Sequence, residues 1–320
     1  MRLRDVALAA IVNVLWGVNF AAIDLGLAHL PPLLFCALRF GAAAVPAIFF
    51  VGRTRVAWRW VVAVAVSLGV VKFGLLFAGM AAGMPAGLSA LVLQSQAVFT
   101  MIFAFALLRE RPTARQVVGL AIAAGGIAVV AAGVVVGGTG AAGAFGLVLA
   151  AGAAWGLANL AMRRAAARSP TAGGGNGGGG GWDAVRFMVW VSAVAAPTDL
   201  ALSLLIEGPR RDLAALSHLG LVATFAIGYV AWVATLLGFG IWGALLRRYR
   251  AASVAPFSML APVCAIGAGA VLLGQPVHRT DLLGGALVVA GVLTGLLPGG
   301  RVAPVPEPVA APVRVPTAAG

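Results

Sequence analysis

The sequence predicts an all-α, polytopic membrane protein: ten transmembrane helices in two inverted five-helix repeats, with both termini cytoplasmic. Three observations predict it. The 320 residues are 62% hydrophobic and only 10% charged, with a mean hydropathy of +1.03, whereas a soluble domain carries about a quarter charged residues. Apolar runs of spanning length, about twenty residues, recur along the chain and are apolar on every face, without the alternation of a membrane barrel. With the N-terminus placed inside, sixteen of the basic residues outside the runs fall on the cytoplasmic side and three, Arg210, Arg211 and Arg279, outside. That bias orients the helices.

The runs are 5–25, 32–51, 60–82, 86–108, 115–135, 143–163, 184–206, 219–244, 252–273 and 280–297. The first is long and is followed by Asp24 and Pro31-Pro32 rather than a small-residue cleavage site, so it reads as a span and not a cleaved leader. The second carries Arg39, about 10 Å below the outer surface at 1.5 Å per residue, and the third carries Lys72 near its middle. Met84-Pro85-Ala86-Gly87 is a tight turn between the third run and the fourth. The fourth holds Gln94 and Gln96, the seventh Arg186 and Asp199, and the ninth Pro256 and Pro262.

The chain repeats. "ALLRERPTARQVVGLAIAAGG" (106–126) aligns with "VLLGQPVHRTDLLGGALVVAG" (271–291) at an offset of 165, and Trp16-Gly17 resembles Trp155-Gly156. Five spans per half is an odd number, so the second copy enters the membrane from the opposite side, the inverted topology of many secondary transporters. The expected division is 5–135 and 143–297. After the run 143–163 lies the glycine-rich segment 165–183, "AAARSPTAGGGNGGGGGWD", a flexible cytoplasmic linker. It lacks the strand, lysine and following soluble helix of a phosphate cradle. Residues 298–320, rich in Pro, Val and Ala, read as a disordered tail.

The net charge of +13 is spent on topology, so no nucleic acid partner is implied. Cys36 and Cys264 lie far apart inside runs, and no metal-ligand spacing exists. His29, His218 and His278 all fall in or near outer loops, with no carboxylate pair or nucleophile elbow. A membrane enzyme is disfavoured, and no cofactor is expected.

Several stretches carry a resemblance: "WGVNF" (16–20), "LRF" (38–40), "GMPAGLSALVLQSQAVFT" (83–100), "LLRERPTARQVVG" (107–119), "LLGFGIWGALLRRY" (236–249) and "APFSMLAPV" (255–263). They resemble the EamA family of the drug/metabolite transporter superfamily, most of all its O-acetylserine/cysteine exporter branch. The likeness runs from about residue 5 to 297. Asp24 stands where the family's first helix often has a lysine, and Lys72 where the third tends to have an uncharged polar residue. The resemblance implies two inverted five-helix halves around a central pathway and export of small metabolites across the inner membrane.

The candidate substrate-binding residues are the polar and aromatic groups at lipid depth: Lys72, Gln96, Thr100, Asn19, Gln94, Asn159, Trp16, Trp242 and Arg39. Buried polar groups in a membrane face a cavity or a partner. Lys72, the chain's one lysine, can bind an anionic group or titrate during transport, or it can be structural. Arg39 can hold a substrate carboxylate, or clamp Asp24 across the hairpin. Arg186 and Asp199, towards opposite ends of their span, can reach the interfaces. Gln94 and Gln96 point about 200° apart on a continuous helix. Gln96 shares the more polar face with Thr100 and is favoured as pathway-lining, while Gln94 looks to a neighbouring helix. Carboxamides can hold both ends of an amino acid, or simply glue helices. Asn19 and Asn159 sit near the Trp-Gly pairs, and Trp16, Trp155, Phe239 and Trp242 either wall the pathway or pack. Carbonyls freed by Pro256 and Pro262 can face a substrate ammonium. The expected partners are a small polar metabolite, a proton gradient and the lipid bilayer.

Overall fold

The computed structural model describes residues 1–54, 56–110, 112–136, 141–167, 180–249 and 254–296. Every regular element among them is helical. A chain in lipid requires this, because a helix pairs its own backbone groups where no water can. The elements are α1 (Leu3–Leu27), α2 (Pro32–Val51), α3 (Trp58–Ala81), α4 (Ala86–Leu108), α5 (Ala114–Val136), α6 (Ala141–Ala167), α7 (Gly180–Ile206), α8 (Pro209–Ser217), α9 (221–248), α10 (255–273) and α11 (Arg279–Leu296). Among the described residues eight helices, α1 to α7 and α9, are long and apolar enough to cross a membrane. The apolar part of α10, Phe257–Leu273, is shorter, and α11 has 18 residues. The chain is a multi-pass membrane protein. Most of the glycine-rich linker and the whole tail expected at 298–320 lie outside the described residues.

Local sequence sets the ends. Pro32 opens α2, where its missing N–H is no loss. The next two N–H groups, of Leu33 and Leu34, donate to the Glu207 carboxylate at 3.0 and 3.1 Å. Gly83 turns α3 into α4 at a φ of +102°, a conformation that favours glycine.

Four helices depart from α geometry, in matched places. α3 contains a π stretch, Ala65–Lys72, and α9 another, Tyr229–Leu237. α4 is interrupted between Ala86–Val92 and Ser95–Leu108, so the continuous helix expected from the sequence is corrected there. Three i→i−3 bonds, from the N–H groups of Gln94, Gln96 and Ala97, tighten the chain at the break. α10 opens with a 3-10 turn, Ala255–Met259, before Leu260–Leu273.

The main pairings are α5 with α11, α2 with α7, α1 with α10, and α4 with α6. Small residues let backbones touch. A methyl on Gly119 would lie 2.5 Å from the Gly291 carbonyl oxygen, and one on Gly126 2.6 Å from that of Gly284. The largest core gathers Ile23, Phe35, Phe77, Met84 and Leu91. The outer surface is apolar as well: Phe49, Phe50, Leu205, Leu221 and Val271 are each at least four-fifths exposed, as expected of a wall against acyl chains.

Candidate functional site

The break in α4 decides where its amides go. Gln94 is buried and its Nε2 donates to the Met259 sulfur at 3.7 Å. Gln96 turns the other way and meets α6. Asn159 Nδ2 donates to Gln96 Oε1 at 2.6 Å and to Thr100 Oγ1 at 3.0 Å. Thr100 Oγ1 in turn donates to the Gln96 carbonyl at 2.6 Å. Gly152 and Gly156 make this approach possible, since a methyl on Gly156 would press on the Thr100 backbone nitrogen at 2.9 Å.

The triad lies on a cavity of about 730 Å³ between α4, α5, α6 and the end of α11. Met101, Phe105 and Leu120 give it an apolar wall, and Glu110 and Arg163 stand on its rim. Arg163 Nη2 lies 2.6 Å from Glu110 Oε1, each side chain about half exposed. A pair so wet contributes about 0–1 kcal/mol, so little holds the rim closed.

Further along α6, Trp155 packs on Lys72. The Lys72 ammonium is 3.3 Å from the centre of the Phe73 ring and 4.8 Å from that of Trp155, in a side chain 4% exposed. It closes the π stretch of α3, the kind of bulge often found at functional sites. Two aromatic faces stabilise a desolvated cation by about 2 kcal/mol or more.

Arg39 is 3% exposed. Its guanidinium lies over Phe73 at 3.9 Å and Phe40 at 4.3 Å, and Nη2 donates to Thr235 Oγ1 at 3.1 Å. The hairpin clamp between Arg39 and Asp24 is not what forms, because Asp24 accepts instead from Gln275 Nε2 at 3.4 Å. Asp199 needs a second correction. It does not reach the interface but is 0% exposed, in a helix that packs on α2. Arg186 Nε donates to the Val51 carbonyl at the end of α2.

Trp16 and Trp242 meet in a cluster with Phe239, ring centres 5.3 and 5.5 Å from Trp16. Trp16 Nε1 donates to the Ala234 carbonyl in the π stretch of α9, at 2.9 Å. Asn19 Oδ1 is buried without a protein partner. The structure thus joins Gln96, Thr100 and Asn159 on one wall, and Trp16 with Trp242 in another cluster. It does not bring Gln94 or Arg39 to that cavity.

Sequence reasoning missed a polar face on α7. Ser192, Asp199 and Ser203 are all 0% exposed, and Ser203 Oγ lies 2.7 Å from Glu207 Oε2 and 2.9 Å from Asp212 Oδ2. Their spacing of seven and four places them on one side of a helix, a signal the sequence does carry. It also missed Asp5, which accepts from Tyr249 OH at 2.7 Å and from Arg248 at 3.3 Å, tying the start of α1 to the end of α9.

With this geometry in place, the family profile of EamA-like transporters matches residues 4–132 and again 143–296. The chain belongs to the EamA-like transporter family. A protein of Salmonella typhimurium named "Probable amino-acid metabolite efflux pump" is 37% identical over 91% of this chain and 94% of its own length. An Escherichia coli protein of the same name is 33% identical over the same shares. The "Uncharacterized transporter YvbV" of Bacillus subtilis is 26% identical over 90% of each chain. One solved crystal structure superposes with a TM-score of 0.58 over 90% of this chain and 94% of that one, at 19% identity, a likeness of fold. As an EamA-like protein the chain is a membrane transporter, and its buried amides and cations are read in that light.

Proposed function

We propose that this chain is a secondary-active exporter of small metabolites in the bacterial inner membrane. Its cargo is amino acids such as cysteine and O-acetylserine, moved by alternating access with protons entering as the driving flow. The observation that carries the reading is the array of Asn159, Gln96 and Thr100 on the wall of a cavity large enough for an amino acid. Carboxamides and hydroxyls offer donors and acceptors together, which suits a zwitterion that must bind and then leave. Lys72, held against Trp155 one turn before Asn159 on the same helix, is the cation proposed to meet a carboxylate during transport, although it does not line this cavity in the described conformation. The names of the two similar efflux pumps support both the direction and the substrate class.

The account needs ten crossings in two inverted halves, 5–135 and 143–297, with both termini inside. Gln94 and Met259, which touch, are themselves 165 positions apart. The π stretches begin at Ala65 and Tyr229, and the left-handed helix ends are Arg109 and Gly274, close to the same offset. Contacts of Gly119 with Gly291 and of Gly126 with Gly284 exchange under it. Two successive family matches support the same division.

Proteoliposomes preloaded with labelled cysteine test the function. The label should leave faster when an inward proton gradient is imposed. A second reading, export of a different cargo such as a drug-like molecule, is favoured by the apolar wall of Met101, Phe105 and Leu120. It prevails if a lipophilic cation moves under these conditions and cysteine does not.

A further inference from the structure

Among the described carboxylates at lipid depth, Asp199 stands apart. Asp24 is bonded to Gln275, and Glu207 and Asp212 share Ser203 near the outer end of α7. Asp199 is 0% exposed, and neither of its oxygens has a protein hydrogen-bond partner. It lies seven residues before the end of α7, about 10 Å along the axis. Opposite, on α2, the buried Arg39 leaves Nε and Nη1 unpartnered too. Ser192 Oγ on the same side of α7 is likewise buried without a partner. An isolated ionised carboxylate is costly at such a place, and a neutral one far less so.

We propose that Asp199 is the carboxylate that takes up and releases the driving proton, and that Arg39 reads its charge across the α2–α7 contact. This rests on the reading of the chain as a proton-driven exporter. When Asp199 is ionised, its attraction to Arg39 draws α7 of the second half against α2 of the first. Binding of a proton to one carboxylate oxygen removes the negative charge and the attraction, and loss of that proton restores both. A gradient is thereby connected to movement of one half on the other, with no bond made or broken except O–H.

The surroundings fit a proton path. Ser203 and Glu207 follow Asp199 one and two turns towards the outer end, with Asp212 of α8 on Ser203. The titratable and charged groups within electrostatic reach of Asp199 are Arg39 and Cys36 on α2, and Cys36 in turn is within reach of Lys72 on α3 and of Glu207 just past the end of α7. α9 contributes the Thr235 hydroxyl that holds Arg39. Neither Arg39 nor Lys72 can deliver the same signal: a guanidinium keeps its proton, and the Lys72 ammonium is enclosed by aromatic rings.

Asp199→Asn, which fixes the neutral form, tests the proposal in proteoliposomes. Exchange of labelled for unlabelled cysteine should persist. Efflux driven by an imposed proton gradient should fall at least about tenfold, and substrate-linked proton uptake, followed with a pH dye, should vanish. Driven efflux and proton uptake at wild-type levels in that variant would overturn the assignment. If the Asn variant does not fold, Asp199→Glu decides: driven efflux should survive with a displaced pH profile, and a profile identical to wild type overturns the assignment. Wild-type vesicles that release cysteine without moving protons also sink this inference and leave export standing. Wild-type vesicles that release no cysteine sink the export reading itself.

Discussion

Asn159 is the residue on which most geometry converges, because one amide group serves two partners on another helix. Asn159→Leu removes both bonds and leaves two polar groups on the cavity wall without a donor. Each such loss costs about 1–3 kcal/mol, so cysteine efflux should fall at least about tenfold while membrane expression is kept. Lys72→Ala is expected to abolish efflux with expression intact, measured in the same vesicles, and wild-type flux would make Lys72 structural. Gln94→Met should transport normally, since Gln94 faces Met259 and not the cavity. The divergence of Gln94 and Gln96 agrees with what a continuous helix predicts, but the break between Val92 and Ser95 through which the structure reaches it was not legible. Nor was the fate of Arg39. Its partner Thr235 comes from a helix 196 positions away, and no local spacing announces such a contact. Asp199 was visible as a charge in a span, but its position near the end of the run resembled an interfacial residue, and only the packing of α7 on α2 buries it.

At the scale of elements, the apolar runs placed the helices well because burial in lipid acts on every residue of a span. The helix interruptions were not legible. Neither π stretch contains a proline, and neither proline nor glycine stands at the break at Leu93-Gln94. α8 was missed because nine residues with two arginines carry no spanning run. The α5–α11 pair is sensitive to size. Gly119→Val would push a branched side chain onto the Gly291 carbonyl and the Gly295 backbone, where neither can yield without moving a helix. Overpacking of this kind costs about 1–3 kcal/mol, and the variant should lose thermal stability in detergent. Gly125→Val on the same helix has open space at its Cβ and should not. Equal melting of the two variants would remove the tight pairing from the account.

For the whole molecule, the claim is that two inverted halves enclose a route which passes Gln96, Thr100 and Asn159 and opens to each side in turn. With both termini inside, as proposed, Arg163 and Glu110 would stand on the cytoplasmic rim and the described conformation would open inward. Its most direct test uses a chain with Cys36 and Cys264 replaced by alanine and Thr100 by cysteine. A membrane-impermeant thiol reagent added from the cytoplasmic side should modify that cysteine, and saturating substrate should slow the reaction severalfold. Modification at the same rate with and without substrate, or none from that side, would contradict the account.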